Sequence, residues 1–100
     1  MIVYNVTSKV RWDILEGWLN WQLERQIPSI MATGLFDNHQ VFRLLEQDED
    51  EGPTFVVQFF TSSIDRYQQF VIEFGPAMQQ EGYEKWGNGF ISFRTLLESV

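Results

Sequence analysis

Hydrophobic and polar positions along the chain change period several times. Over residues 2–9, Ile2, Tyr4 and Val6 alternate with Val3, Asn5 and Thr7, and this period of two in a β-rich window predicts a first strand. From Trp12 to about Gln26 the period becomes helical. Asp13, Gly17, Asn20 and Glu24 fall on one side, and Ile14, Leu15, Trp18, Leu19, Trp21 and Leu23 on the other. That apolar arc spans roughly 200°, wider than one core-facing stripe needs, so the helix is expected to meet two surfaces or border a cavity. Pro28 suits only the first turn of a helix, which places a break near Ile27 and a short continuation through Ile30 and Met31, ended by Gly34.

Strand signals return over Phe36–Leu45 and again over Thr54–Thr61, after Gly52–Pro53, and the two read as a hairpin. Ser62 or Ser63 then caps a second helix on which Ile64, Tyr67, Phe70, Val71, Phe74 and Met78 share a face, with a kink at Gly75–Pro76. The Gly87–Asn88–Gly89 turn releases a last strand, Phe90 to about Glu98. The order βαββαβ predicts an α+β, ferredoxin-like fold occupying residues 1–100 as one domain. Two right-handed crossovers put both helices on one face of a four-stranded antiparallel sheet. The other face is then bare. In the third strand Phe55, Val57 and Phe59 face the helices, leaving Val56, Gln58 and Phe60 open, joined by Val3 and by either Phe90 or Ile91 with Phe93. Burying such side chains stabilises by about 1.5–3 kcal/mol each, so a partner over this face is expected, a second copy first of all.

Composition narrows the chemistry. Fourteen acids against seven Lys and Arg give a net charge of −7, which repels phosphate backbones and anionic lipid, so neither nucleic acid nor a membrane surface is the expected partner. The absence of cysteine removes thiolate metal sites, iron–sulfur clusters and Cys nucleophiles. Asn5 interrupts the short apolar run Ile2–Tyr4 and no basic segment precedes it, so no secretory signal is read and a cytoplasmic location is expected by elimination. His39, the one histidine, has only Asp37 as a local carboxylate and reads as a solvated loop residue rather than a metal ligand. The acidic run at 46–51 fails as a calcium loop, because an EF-hand template started at Asp48 puts Pro53 where Gly belongs and Phe59 where the bidentate Glu belongs. No metal and no cofactor are expected.

Several segments together resemble a bacterial family of unknown function, DUF4286, which is ferredoxin-like and grouped with the dimeric α/β barrels. They are MIVYNVT at 1–7, the W-x-x-W of Trp18 and Trp21, IPSIMATGLF at 27–36, RLLE at 43–46, GPTFVVQF at 52–59 and FRTLLE at 93–98. The resemblance implies the fold and a tendency to form homodimers of the dimeric α/β-barrel kind. It also implies a histidine immediately before the Ile-Pro pair, where this chain has Gln26, whose amide exchanges hydrogen bonds but no proton.

These readings leave two sets of candidate residues. Tyr4, Trp18, Trp21, Phe59 and Tyr67 are expected to line an aromatic pocket between helix and sheet for a small apolar or aromatic molecule. Val3, Asn5, Val56, Gln58 and Phe60, with Arg43 and Arg94 pairing Glu46, Glu98 or a carboxylate of the other subunit, are expected at the dimer interface. A non-enzymatic homodimer is the first reading. A cofactor-independent monooxygenase or isomerase of the same architecture is the rival, and an interaction module using the open sheet face is the third. An enzyme would need a group able to move a proton, for which Glu73 and Glu81 are the acids to inspect.

Overall fold

Alternating side chains build an antiparallel sheet in the order β2-β3-β1-β4. The strands are β1 (Ile2–Val10), β2 (Asn38–Arg43), β3 (Thr54–Thr61) and β4 (Phe90–Glu98), in a computed structural model that describes residues 1–100. The helical connections are α1 (Leu15–Trp21), a π-helical segment Gln22–Gln26, α2 (Ile27–Ala32), α3 (Ile64–Glu73) and α4 (Gly75–Trp86). This is the ferredoxin-like arrangement, with β1 and β3 central. Register divides the residues between the faces: Tyr4 lies opposite Phe59 and Leu96, and Asn5 opposite Gln58 and Thr95.

The helix-covered face carries the core. Tyr4, Phe36, Phe59 and Phe70 form an aromatic knot with ring centroids 5.1–6.1 Å apart, closed by Ile27, Ile30, Leu35 and Val57. A smaller cluster of Val10, Trp18 and Phe55 sits toward the other end of the sheet. There the end of β1 is tied to the loop before β3 by Val10 N–H donating to the Pro53 carbonyl, at 3.0 Å. Gly52 is required at this crossing, since its φ is +154° and a Cβ would lie 1.7 Å from the Val10 carbonyl oxygen.

Most boundaries fall where periodicity places them, and the departures have local causes. Helix begins at Leu15 rather than Trp12, because Trp12 is held outside it with its indole N–H donating to the Glu49 carbonyl at 2.8 Å. The expected break near Ile27 is replaced by a widened turn. Ile27 N–H reaches back five residues to the Gln22 carbonyl, and Pro28, which has no N–H to donate, follows without interrupting the helix. Leu23, expected on the apolar arc, is therefore 49% exposed. β2 is shorter than expected because Leu35 and Phe36 turn into the core ahead of it, while Leu44 and Leu45 are exposed. At Gly75–Pro76 the expected kink is a junction between two helices at Phe74, and Ile64 and Val71, assigned to the buried face, stand at its exposed edge. Ser63 is the cap, its hydroxyl accepting from Asp65 N–H.

Candidate functional site

The helix layer and the sheet do not close on one another completely. Between them lies a cavity of about 800 Å³, inside the range of roughly 300–1,000 Å³ usual for small-molecule sites. Tyr4, Val6 and Ser8 of β1, Val57 and Phe59 of β3, and Phe90, Ser92 and Arg94 of β4 line its sheet side. Trp18, Trp21, Gln22, Gln26 and Ile30 line one helical wall, and Phe70 with Met78, Gly82 and Tyr83 the other. Four of the five expected pocket residues, Tyr4, Trp18, Trp21 and Phe59, thus meet in one cavity. The fifth, Tyr67, lines a smaller adjoining cavity of about 210 Å³ that shares Tyr4, Phe70 and Arg94 with the first.

Two local features make the space. Gly82 is buried where a Cβ would lie 3.6 Å from the Phe90 ring and 3.7 Å from Trp21, so α4 approaches both aromatics closely without filling the gap above them. Trp18, Gln22, Gln26 and Ile30 recur at steps of four residues, which in a regular α-helix drift about 40° per step. The π-helical turn takes up that drift and keeps all four on the cavity side. Gln22 and Gln26 are half-buried there, and neither amide bonds to another part of the chain. Sequence reasoning passed over Gln22 and dismissed Gln26 because it cannot titrate. The signal that could have found them is the pitch of four leading into Pro28, which a helix of 3.6 residues per turn does not explain.

Polar chemistry within the cavity is sparse and specific. Arg94 Nε donates to the Tyr4 hydroxyl at 2.8 Å, and the Ser8 and Ser92 hydroxyls are 2.7 Å apart. Burial pushes the Tyr4 phenol above its ordinary value, a shift that the Arg94 charge and hydrogen bond partly offset, so the group stays protonated at neutral pH. The Trp18 indole N–H is fully buried without an acceptor, as is that of Trp86, whose ring meets Trp21 edge-on. No Asp, Glu, His or Lys lines the cavity. Glu73 and Glu81, the acids singled out as proton carriers, are both exposed on the outer helix surface.

The bare sheet face gathers Val3, Asn5, Val56, Gln58 and Phe60, as their parity requires, and the Gln58 amide donates to Asn5 Oδ1 at 3.2 Å. β4 adds Ile91, Phe93 and Leu97 opposite Lys9, Thr7 and Val3, while Phe90 turns inward. Phe42 of β2, opposite Val56, completes the patch, and it was missed because β2 had no assigned parity. Arg43 and Arg94 do not belong to this face. Each lies opposite a helix-side residue, Phe55 and Val6 respectively, so the alternation of the strand sends it the other way. Arg43 pairs with Glu49 at 2.6 Å rather than with Glu46, and Arg94 with the Tyr4 hydroxyl rather than with Glu98. His39 is likewise a strand residue and not a loop residue. It is half-buried, with its ring 6.4 Å from Phe59. No three of the His, Asp and Glu side chains cluster to hold a metal ion, and no helix is long and apolar enough to cross a membrane.

A ferredoxin-like α+β unit with a hollow between its helices and sheet is the class these features define. Within that class the chain belongs to the family described as Domain of unknown function (DUF4286), which matches residues 1–100. No curated protein matches its sequence. Among solved structures it is similar to an EthD (ethyl tert-butyl ether D) family protein of Bacillus halodurans, with a TM-score of 0.73 at 12% identity over 100% of both chains. It is also similar to SnoaB, a cofactor-independent oxygenase of Streptomyces nogalater, with a TM-score of 0.66 at 10% identity over 98% of this chain and 91% of that one. A dimeric ferredoxin-like protein from an uncultured marine organism gives 0.66 at 16% identity, over 100% and 95%. At these identities the likeness is one of fold.

Proposed function

We propose that this protein is a homodimer that binds a small aromatic molecule between its helices and its sheet. The observation that carries the reading is the cavity of about 800 Å³ walled by Trp18, Trp21, Phe59, Phe70 and Phe90, with a few fixed polar groups among them. Flat rings offer dispersion and edge contacts on every side of such a ligand, and the unpaired amides of Gln22 and Gln26 supply hydrogen bonds to polar substituents. Binding is favoured over turnover by the lining itself. Its one phenol with a shifted pKa moves away from neutrality, and no Asp, Glu, His or Lys lines it, so it lacks a group matched to general acid–base work.

The homodimer reading rests on the bare face. Val3, Val56, Phe60, Ile91, Phe93 and Leu97 are too large an apolar surface to leave wet, and the dimeric ferredoxin-like relative supports a second copy of the chain as what covers them. Native mass spectrometry of the freshly purified protein, followed by titration of tryptophan fluorescence with two-ring aromatic probes, tests the reading. Quenching that saturates with a Kd below about 1 mM, and weakens at least tenfold in Trp18→Ala, is expected. A folded protein whose fluorescence no such probe changes would refute it.

A further inference from the structure

We propose that the cavity selects aromatic carboxylates, and that the Arg94 guanidinium together with the Tyr4 hydroxyl is the subsite that takes the anionic group. The inference rests on the cavity being a ligand pocket and adds the chemical class of what enters it.

The first support is charge. The chain carries fourteen acids and only seven Lys and Arg, yet the cavity lining holds a single charged side chain, and it is a cation. In a molecule of net charge −7 a hollow lined at random would contain carboxylates, whereas this one holds none. Four of the other six cations are committed elsewhere, and none of the six lines the cavity. Arg11, Arg43 and Arg66 pair with Asp13, Glu49 and Asp37 at 2.9, 2.6 and 3.0 Å, and Lys85 lies over the Trp86 ring.

The second support is geometry. Arg94 spends its Nε hydrogen on the Tyr4 oxygen, which fixes the guanidinium plane, and its two terminal nitrogens have no partner in the chain. Tyr4 in turn accepts from Arg94, and its own hydroxyl hydrogen has no acceptor. A guanidinium edge beside a phenol O–H matches a planar carboxylate, one oxygen or both. Both residues line the large and the small cavity, so the subsite stands where the two meet, with aromatic walls beyond it. One positive charge balances a monoanion. Beside the exposed Arg94 a phosphate dianion would keep one charge unmatched against an acidic protein, and an ammonium would face the arginine with no carboxylate to hold it.

The test compares isosteric probes, 2-naphthoate and 2-naphthamide, by calorimetric titration at pH 7.5 on the wild-type protein and on Arg94→Met, Arg94→Lys and Tyr4→Phe. Wild-type protein is expected to bind the acid at least tenfold more tightly than the amide. In Arg94→Met that preference should fall below twofold, with an unchanged circular dichroism spectrum showing that the variant folds. Arg94→Lys should keep part of the preference, since it keeps the charge and loses the fork, and Tyr4→Phe should lose a smaller part. Equal affinities for acid and amide in the wild type, or a tenfold preference surviving in Arg94→Met, would overturn the anion subsite and leave the pocket standing. Failure of both probes to bind the wild type would overturn the pocket and the subsite together.

Discussion

The two faces of the sheet are made from the same strands and differ in what surrounds each alternate residue. Phe59 and Phe60 are chain neighbours on β3. Phe59 is 2% exposed in the aromatic knot beneath the helices, and Phe60 points to the bare side, partly covered, on the face that also carries the exposed Phe42, Ile91 and Phe93. Toward the helices, apolar groups outnumber polar ones and yet leave a hollow, where Gly82 brings no side chain and the π-helical turn keeps Gln22 and Gln26 on the cavity side. Toward the bare side, apolar groups form a patch with an amide pair, Asn5 and Gln58, at its centre. Hydrophobicity alone does not separate a lined cavity from an open apolar face. What separates them is whether the protein's own helices supply the second wall.

Substitutions on β3 and its neighbours test that contrast, beginning with the largest effect. Phe59→Ala removes a ring from the closed core and is expected to cost about 3–5 kcal/mol in denaturant unfolding; a loss below about 1 kcal/mol would mean that the knot is not the stabilising region. Phe60→Asp, one residue on, is expected to leave the fold intact and to dissociate the proposed homodimer, since a carboxylate buried at an interface without a partner costs several kcal/mol. Light scattering on a sizing column should then give a single chain of 11.8 kDa, where the proposed dimer of the parent is expected to give twice that mass. A variant that stays dimeric would move the interface away from the bare face.

Tyr4→Phe keeps the ring and loses the hydroxyl that accepts from Arg94, for an expected cost of about 0.5–1.5 kcal/mol at pH 7. Its pH dependence is more telling. Because burial raises the phenol pKa above 10.0, the folded protein still holds this proton when the unfolded chain has released it. The associated stability is present in full below about pH 10 and is lost as the pH climbs through the folded value, at up to about 1.4 kcal/mol per pH unit. Denaturant midpoints measured from pH 8 to 11.5 should fall less steeply above pH 10 in Tyr4→Phe than in the parent. Parallel curves would place the phenol in water rather than in the cavity. The smallest effect belongs to Arg43→Ala, whose exposed pair with Glu49 at the edge of the sheet is screened by solvent, so the denaturant midpoint should barely move and high salt should erase any difference.

Much of this was legible beforehand, and the exceptions have physical reasons. Period-two alternation placed β1 and β3 and sorted Val56, Gln58 and Phe60 from Phe55, Val57 and Phe59, because a strand offers only two directions. The same rule could not sort β4. Phe90 and Ile91 are adjacent and apolar, and only the pairing of Thr7 with Phe93 and of Val6 with Arg94 decides between them. Arg94 thereby passes from a candidate interface residue to the one charge in the cavity. Leu23 was misplaced, and Gln22 passed over, for a related reason: a 3.6-residue wheel cannot represent a turn that has been widened ahead of Pro28.

Local patterning therefore determined the element order, the ferredoxin-like topology and most of the aromatic residues that meet beneath the helices. Each of these follows from the spacing of side chains along a few turns or strands. The tertiary structure decided what depends on contacts between distant segments. Tyr4 and Arg94 are joined by a hydrogen bond across ninety residues, the carboxylates of an acidic chain all stay out of its cavity, and Gly82 leaves room beside Trp21 and Phe90. Periodicity reports which way a side chain points relative to its own backbone. Whether that direction meets a ring, a guanidinium or an empty space is set by the segment packed opposite, and no local pattern encodes that.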